Sequence, residues 1–246
     1  MIKNNNNTPM NILSYSKVCL LGICGSGMSA LARWFLNNNV NIIGFDSSNS
    51  QILSDTNIKI IRNEDITLLP KEFDTPSETL VVYSSAINQN NKLLNALINK
   101  GFRTVKRSVC FDYITRNFYT LSVAGTHGKT TTSSLLTHLL YFTRFHINAF
   151  LGGIMKNYKS NFVKNSKKNN DLSLAIVEAD EYDNFFLSLH SNIAIITNID
   201  VDHLDIFSNV ENYKDAFNNF ISKIKSNGAL IIHKLAFDKI SKDIIS

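Results

Sequence analysis

The sequence predicts an α/β protein built from two successive nucleotide-binding units. The first is an N-terminal Rossmann-like parallel-sheet domain and the second a P-loop-type central α/β domain. Three observations carry that expectation. Apolar runs of four or five residues, too short for helices, recur along the chain and end in polar residues or glycine. Two of them feed directly into glycine turns, Gly22-Ile23-Cys24-Gly25-Ser26-Gly27 and Gly125-Thr126-His127-Gly128-Lys129-Thr130. A helix-like segment follows each turn, the order that offers backbone N–H groups and a helix N-terminus to phosphate.

The elements of the first unit follow in order. The asparagine-rich start, to about Ser14, reads as a disordered tail with no apolar signal core. Val18 to Leu21 reads as a buried strand, and Met28, Leu31, Ala32, Phe35 and Leu36 share one face of the helix after the glycine turn. Ile42 to Phe45 makes a second strand ending at Asp46, about the ~20-residue offset at which a Rossmann unit carries its acid. Cys24 stands where G-x-G-x-x-G has its second glycine, so Gly25 would allow the close approach one step later. The turn is either a nucleotide site, with Gly22, Gly25, Ser26, Gly27 and Asp46 as contacts, or a structural tight turn. Thr79 to Tyr83 is a further strand, and Ser84 and Ser85 at its end either meet a ligand or cap the next turn. Asn91 to Asn99 predicts a helix closed by Gly101, and Val109 to Thr115 a shorter one. The seam at 115–117 divides the chain into domains at 15–117 and 118–246.

The second unit restarts with a strand from Tyr119 to Val123, the phosphate loop, and a helix from Thr130 to Tyr141. Val123 replaces the first glycine of a standard P-loop, and the glycines are Gly125 and Gly128. Gly125, Thr126, His127, Gly128, Lys129, Thr130 and Thr131 are the candidate phosphate contacts: glycines turn N–H groups inward, Lys129 brings positive charge, and the Thr130 hydroxyl suits Mg²⁺. His127 either donates to phosphate or shapes the loop. Leu174 to Val177 is a strand leading to Glu178-Ala179-Asp180-Glu181. Glu178 is either a metal-site carboxylate or a solvated acid, and Asp180 and Glu181 either join it or form an exposed acidic turn. Ile193 to Ile196 leads to Thr197-Asn198, with Asp202-His203-Leu204-Asp205 beyond. Asn198 either bonds phosphate or substrate or caps the turn, and His203, beside acids after a strand end, is a candidate functional histidine. Glu211 to Ile221 predicts a helix and Ala229 to Ile232 a last strand.

Composition narrows the class. A chain of 246 residues can bury roughly 70% of its extended surface. The net charge of +5 comes without a basic stripe interleaved with aromatics, which argues against nucleic acid. Residues 164–170, rich in lysine and asparagine, read as a solvated loop. Three cysteines without C-x-x-C spacing point to a reducing, cytoplasmic setting. No apolar run approaches the ~20 residues that span a membrane, so no membrane insertion is expected.

The short Gly125–Thr130 loop, Glu178-Ala179-Asp180-Glu181 and Asn198…Asp202-His203, in that order, resemble the signatures of the Mur ligase family, ATP-dependent enzymes that build the peptidoglycan stem peptide. The resemblance covers nearly everything from Lys17 onward. It implies ATP and Mg²⁺ as cofactors, with Lys129 steadying the β/γ-phosphates, Thr130 and Glu178 holding one Mg²⁺, and His203 helping to hold a second. Lys129, Asn198 and His203 are the catalytic residues it implies. Gly22 to Gly27 would face a UDP diphosphate, and Asp46, Ser84 and Ser85 the uridine or sugar end. Gly22 to Ser29, Ser84 to Ile87 and 202–205 are most similar to members that ligate L-alanine to UDP-N-acetylmuramate through an acyl phosphate. A murein-tripeptide recycling ligase shares Gly22–Gly25 and Glu178–Asp183 but usually carries extra residues where this chain has only Asn184 to Asn192. The family pattern continues beyond this sequence, so the central domain is expected to be incomplete and the C-terminal domain absent. A non-catalytic nucleotide-sugar-binding remnant and, on the first loop alone, an NAD-dependent dehydrogenase are the other readings.

Overall fold

The computed structural model describes residues 10–165, 172–200 and 210–240. The first sheet comprises β1 (Lys17–Leu21), β2 (Asn41–Phe45), β3 (Lys59–Ile61), β4 (Thr79–Tyr83) and β5 (Arg103–Lys106). Their order is β3-β2-β1-β4-β5, all parallel. Helices α1 (Ser26–Asn37), α2 (Lys92–Asn99) and α3 (Arg107–Asn117) connect them or follow. The chain reverses its direction of travel across the sheet between β1 and β4. That switch point opens a crevice at the strands' carboxyl ends, where Gly22 and Ser84 sit.

The second sheet comprises β6 (Tyr119–Ala124), β7 (His146–Met155), β8 (Ser160–Lys164), β9 (Ser173–Glu178), β10 (Ile193–Ile196) and β11 (Ala229–Ile232). Its order is β11-β10-β6-β9-β7-β8, parallel except for the β7–β8 hairpin. With it go α4 (Lys129–Tyr141), α5 (Val210–Ser222) and α6 (Lys234–Phe237). The chain passes from one sheet to the other over Phe118.

Sequence periodicity finds the apolar strands to within a residue or two and misses four others. β3 has three residues, β5 is mostly polar (Arg-Thr-Val-Lys), and Gly152-Gly153 breaks the pattern of the β7–β8 hairpin. The tail expected to be disordered to Ser14 is ordered from Met10: Asn11 caps a 3₁₀ turn over Ile12–Ser14, and Ile12 is completely buried. One apolar side chain with a place in the core outweighs the polar composition around it. Asn165, expected in a solvated loop, is buried, donates to the Tyr141 and Phe145 carbonyls and accepts from Ile147 N–H.

Helix α1 buries more than the predicted face. Met28, Leu31, Ala32 and Phe35 are buried as expected, but so are Ala30 and Trp34, whereas Leu36 is exposed. The cause is tertiary, because α1 packs on its own sheet and on the β7–β8 hairpin of the other. Trp34 meets Phe150 at 6.5 Å between ring centroids, Phe150 meets Phe111 at 5.1 Å, and Phe111 meets Phe185 at 4.9 Å. The last two are edge-to-face, and pairs of this kind contribute roughly 0.5–1.5 kcal/mol each beyond their buried area. Buried Asn161 adds a polar tie, donating to the Ser26 carbonyl (2.8 Å) and Ser29 Oγ (2.9 Å). The start of α1, and with it the first glycine turn, is thereby fixed against the second sheet.

Candidate active site

The phosphate loop joins β6 to α4. Gly128, at φ 80°, is the N-cap of α4, and Gly125 has φ 132°. A Cβ on Gly125 would lie 2.2 Å from Thr197 Oγ1 and 2.9 Å from the Asn198 carbonyl oxygen, so only glycine lets the loop lie against the end of β10. Three side chains hold it there. Asn198 accepts from His127 N–H (2.9 Å) and donates to its carbonyl (3.2 Å). Thr197 Oγ1 donates to the same carbonyl at 2.6 Å. Thr126 Oγ1 contacts Tyr213 OH at 2.6 Å, and accepts from Asp200 N–H at 2.9 Å. Asn198 is therefore engaged with the loop's own backbone, and the His127 ring is exposed.

Strand β9 lies beside β6 and delivers its acids under the loop. Glu178 accepts from Thr130 Oγ1 (2.8 Å), Gly152 N–H (2.7 Å) and Ser133 Oγ (3.4 Å). A Cβ on Gly152 would be 2.3 Å from Glu178 Oε1, so this glycine makes room for the carboxylate. Lys129 Nζ lies 2.8 Å and 3.0 Å from the two carboxylate oxygens of Glu181 and 2.8 Å from the Gly125 carbonyl. Asp180 is further away, at 4.0 Å. Glu181, open to an exposed-turn reading from sequence, is fully buried. Gly152, Thr197 and Tyr213 are site residues that sequence reasoning missed. The double glycine inside an apolar run was the available signal for Gly152, but nothing local marks Tyr213, which arrives from α5.

In the first unit Gly22, at φ 75°, ends β1, and its N–H donates to the Phe45 carbonyl at 2.8 Å. Asp46 is hydrogen-bonded within the unit. Its carboxylate accepts from Cys24 N–H (2.7 Å) and Ser48 N–H (2.9 Å), binding the glycine turn to the end of β2. Burial pushes this carboxyl up, but the hydrogen bonds from Ser48 and Cys24 outweigh it and hold it below the usual aspartate range. Ser84 Oγ accepts from Ala86 N–H at 3.2 Å, the turn-shaping option of the two readings. Ser85 lines a cavity with Lys106, Arg107, Asn184 and Ser188.

The start of α1 and the acids after β9 face one small cleft of about 40 Å³, lined by Ser26, Gly27, Arg107, Glu178, Asp180 and Phe185 among others. The Arg107 guanidinium stacks over the Phe185 ring at 4.4 Å and lies against Gly27, where it would touch a Cβ. The cleft thus has a helix N-terminus and an arginine on one wall and the Glu178 carboxylate on the other.

His203 and its neighbours at 201–205 lie outside the described residues. Among the described residues no cluster of three or more histidine, cysteine, aspartate or glutamate side chains is arranged to hold a metal, and no helix is long and apolar enough to cross a membrane. Cys19, Cys24 and Cys110 are buried and unpaired, and burial pushes the Cys19 thiol up to about 12.

The sequence matches the family described as "Mur ligase family, catalytic domain" over residues 17–119 and "Mur ligase middle domain" over residues 123–245. A UDP-N-acetylmuramate–L-alanine ligase of Porphyromonas gingivalis is 43% identical over 219 residues, which are 88% of this chain and 47% of that protein. The protein of the same name from Cytophaga hutchinsonii is 39% identical over 225 residues, 90% of this chain and 48% of the relative. The chain spans about half the length of the curated relatives it matches. The crystal structure of UDP-N-acetylmuramate-alanine ligase MurC from Thermotoga maritima superposes with a TM-score of 0.73 at 26% identity, covering 88% of this chain and 48% of that one. The UDP-N-acetylmuramate:L-alanyl-gamma-D-glutamyl-meso-diaminopimelate ligase from Neisseria meningitides gives a TM-score of 0.80 over 92% of this chain and 74% of that one; at 23% identity this is likeness of fold.

Proposed function

Because the chain belongs to the Mur ligase family, we propose that it supplies the UDP-sugar-binding and ATP-binding units of an enzyme that joins L-alanine to the carboxylate of UDP-N-acetylmuramate with cleavage of ATP. The observation that carries this reading is that the α1 N-terminus and Glu178 line one cleft while Glu178 accepts from Thr130 Oγ1 of the second loop, so a nucleotide sugar anchored at the first loop would lie next to the phosphate loop. The identity of about 40% to L-alanine ligases favours that amino acid over a murein tripeptide.

Each residue then has a defined task. Gly22, Gly25, Ser26 and Gly27 present the turn and the first N–H groups of α1 to the UDP diphosphate, with Asp46 and Ser84 fixing the shape of the crevice and Ser85 facing its sugar side. Gly125 to Thr131 enclose the triphosphate, and Asn198, through His127, keeps the loop in register with β10. Lys129 contributes positive charge. Thr130 and Glu178 form an all-oxygen donor set that suits Mg²⁺, and His203 is assigned to a second ion. When bound, Mg²⁺ would neutralise charge on the transferring phosphoryl group. The protein's own contribution is positioning: it holds the sugar's carboxylate against the phosphate loop and keeps the acyl phosphate, once formed, beside the incoming amine.

The test is phosphate release from ATP by the chain, measured with UDP-N-acetylmuramate and L-alanine together and with each omitted. Release that requires both supports the ligase. Retained binding of the UDP-sugar without release would leave a nucleotide-sugar-binding module.

A further inference from the structure

The pairing of Lys129 with Glu181 goes beyond what the phosphate loop needs. A phosphate-loop lysine serves by offering N–H donors to the anion. Here the ammonium has three protons and meets three acceptors at bonding distance: the Gly125 carbonyl at 2.8 Å and the Glu181 oxygens at 2.8 Å and 3.0 Å. The Thr126 carbonyl stands by at 3.4 Å. No proton is left for a phosphate oxygen unless one of these contacts is surrendered.

Glu181 cannot follow the lysine. Its side chain is 0% exposed, and its carbonyl accepts from Asn184 N–H at 3.1 Å as the next helical turn begins. Phe186 N–H donates to the neighbouring Asp180 carbonyl at 3.1 Å, fixing the same turn. A buried carboxylate stripped of its cation is costly, so the lysine is drawn back whenever the anion leaves. In this geometry Lys129 and Glu181 form a neutral pair, and the loop shows an arriving triphosphate little of the lysine's charge.

We infer that Glu181 is a resident counter-ion that competes with phosphate for Lys129 and so lowers the loop's affinity for triphosphate. The inference rests on reading Gly125–Thr130 as a triphosphate site. Glu181 is a positioning residue in this account: it acts through Lys129 and favours release of the phosphate-bearing product by giving the lysine a place to return to.

The test measures binding of magnesium tripolyphosphate and of magnesium ATP to the chain and to its Glu181→Gln variant by calorimetry, at two salt concentrations. Glutamine keeps the shape and an acceptor oxygen but removes the charge. The variant is expected to bind both probes about tenfold more tightly, with a steeper loss of affinity on raising salt because the lysine's charge is unmasked. A purely structural role would weaken binding. Equal or weaker binding by a folded variant, with the unmodified chain still binding, overturns the counter-ion inference alone. Absence of binding by both overturns the phosphate-loop reading as well. A second measurement needs no variant: the Glu181 side-chain carboxyl ¹³C signal is expected to shift when tripolyphosphate is added to the unmodified chain, and a signal that stays put while the probe binds overturns the inference.

Discussion

The two glycine turns occupy the same topological place, strand end to helix start at a sheet's switch point, yet they are held by different means. The first, Gly22 to Gly27, is held through side chains: the Asp46 carboxylate takes Cys24 N–H, buried Asn161 donates to the Ser26 carbonyl, and the group pressed against Gly27 is the tip of the Arg107 side chain. The second, Gly125 to Thr130, is pressed by backbone as well as side chains. Backbone and side chains of Thr197 and Asn198, the Tyr213 hydroxyl and buried Glu181 all close on it. The difference teaches that the first turn has side-chain neighbours that can give way, at Gly27 above all, whereas the second abuts backbone that cannot; the proposed phosphoryl-transfer role of the second calls for that firmer hold.

That contrast can be broken by mutation, and the largest effect is expected at Lys129. Lys129→Ala should lower ATP affinity by about a hundredfold or more while sparing binding of the UDP-sugar. It should also destabilise the chain by about 3–5 kcal/mol, because Glu181 is left buried without its cation. Adding Glu181→Gln to that variant is expected to restore much of the stability but none of the ATP binding; thermal melts and calorimetry on the two variants check both parts.

Gly125→Ala comes next. The left-handed backbone and the contact with Thr197 and Asn198 should cost about 3 kcal/mol in denaturant unfolding and disable ATP binding. In the first loop, Asp46→Ala removes two hydrogen bonds from a partly exposed carboxylate and is expected to cost about 1 kcal/mol, with weaker UDP-sugar binding. Gly27→Ala should be the mildest. Only the far end of Arg107 must move, so stability should stay within about 1 kcal/mol of the unmodified chain while UDP-sugar affinity falls. If Gly27→Ala proved as damaging to the fold as Gly125→Ala, the distinction between the two loops would collapse.

Acid sharpens the same contrast. The folded Asp46 carboxyl lies below its unfolded value, so its contribution is fully present above the unfolded pKa of about 3.9 and disappears as pH falls through the lower folded value. The amide signals of Cys24 and Ser48 are therefore expected to titrate together below about pH 4. Independent behaviour of the two amides would remove Asp46 as the clasp of the first loop.

Sequence reasoning was strongest where a signal is local. The apolar runs of β1, β4, β6, β9 and β10, the glycines of both turns, and Lys129, Thr130 and Glu178 are all readable from neighbours in the chain, because strand burial, left-handed turns and helix starts are short-range constraints. It was silent where the partner is remote. Asp46 had the spacing of a ribose ligand, but its carboxylate is taken by Cys24 and Ser48. Asn198 had the place of a phosphate ligand, but its amide clamps His127.

By itself the sequence determined two α/β units in order, the glycine turn at the head of each, and the family. Only the tertiary structure decided that the units share one cleft, that α1 is buried between two sheets, that Gly152 yields space to Glu178, and that Glu181 holds the loop lysine. The physical reason is one of range. Backbone geometry and hydrophobic periodicity are set by residues a few positions apart, whereas the separation of 52 positions from Lys129 to Glu181 is closed only by packing β9 beside β6.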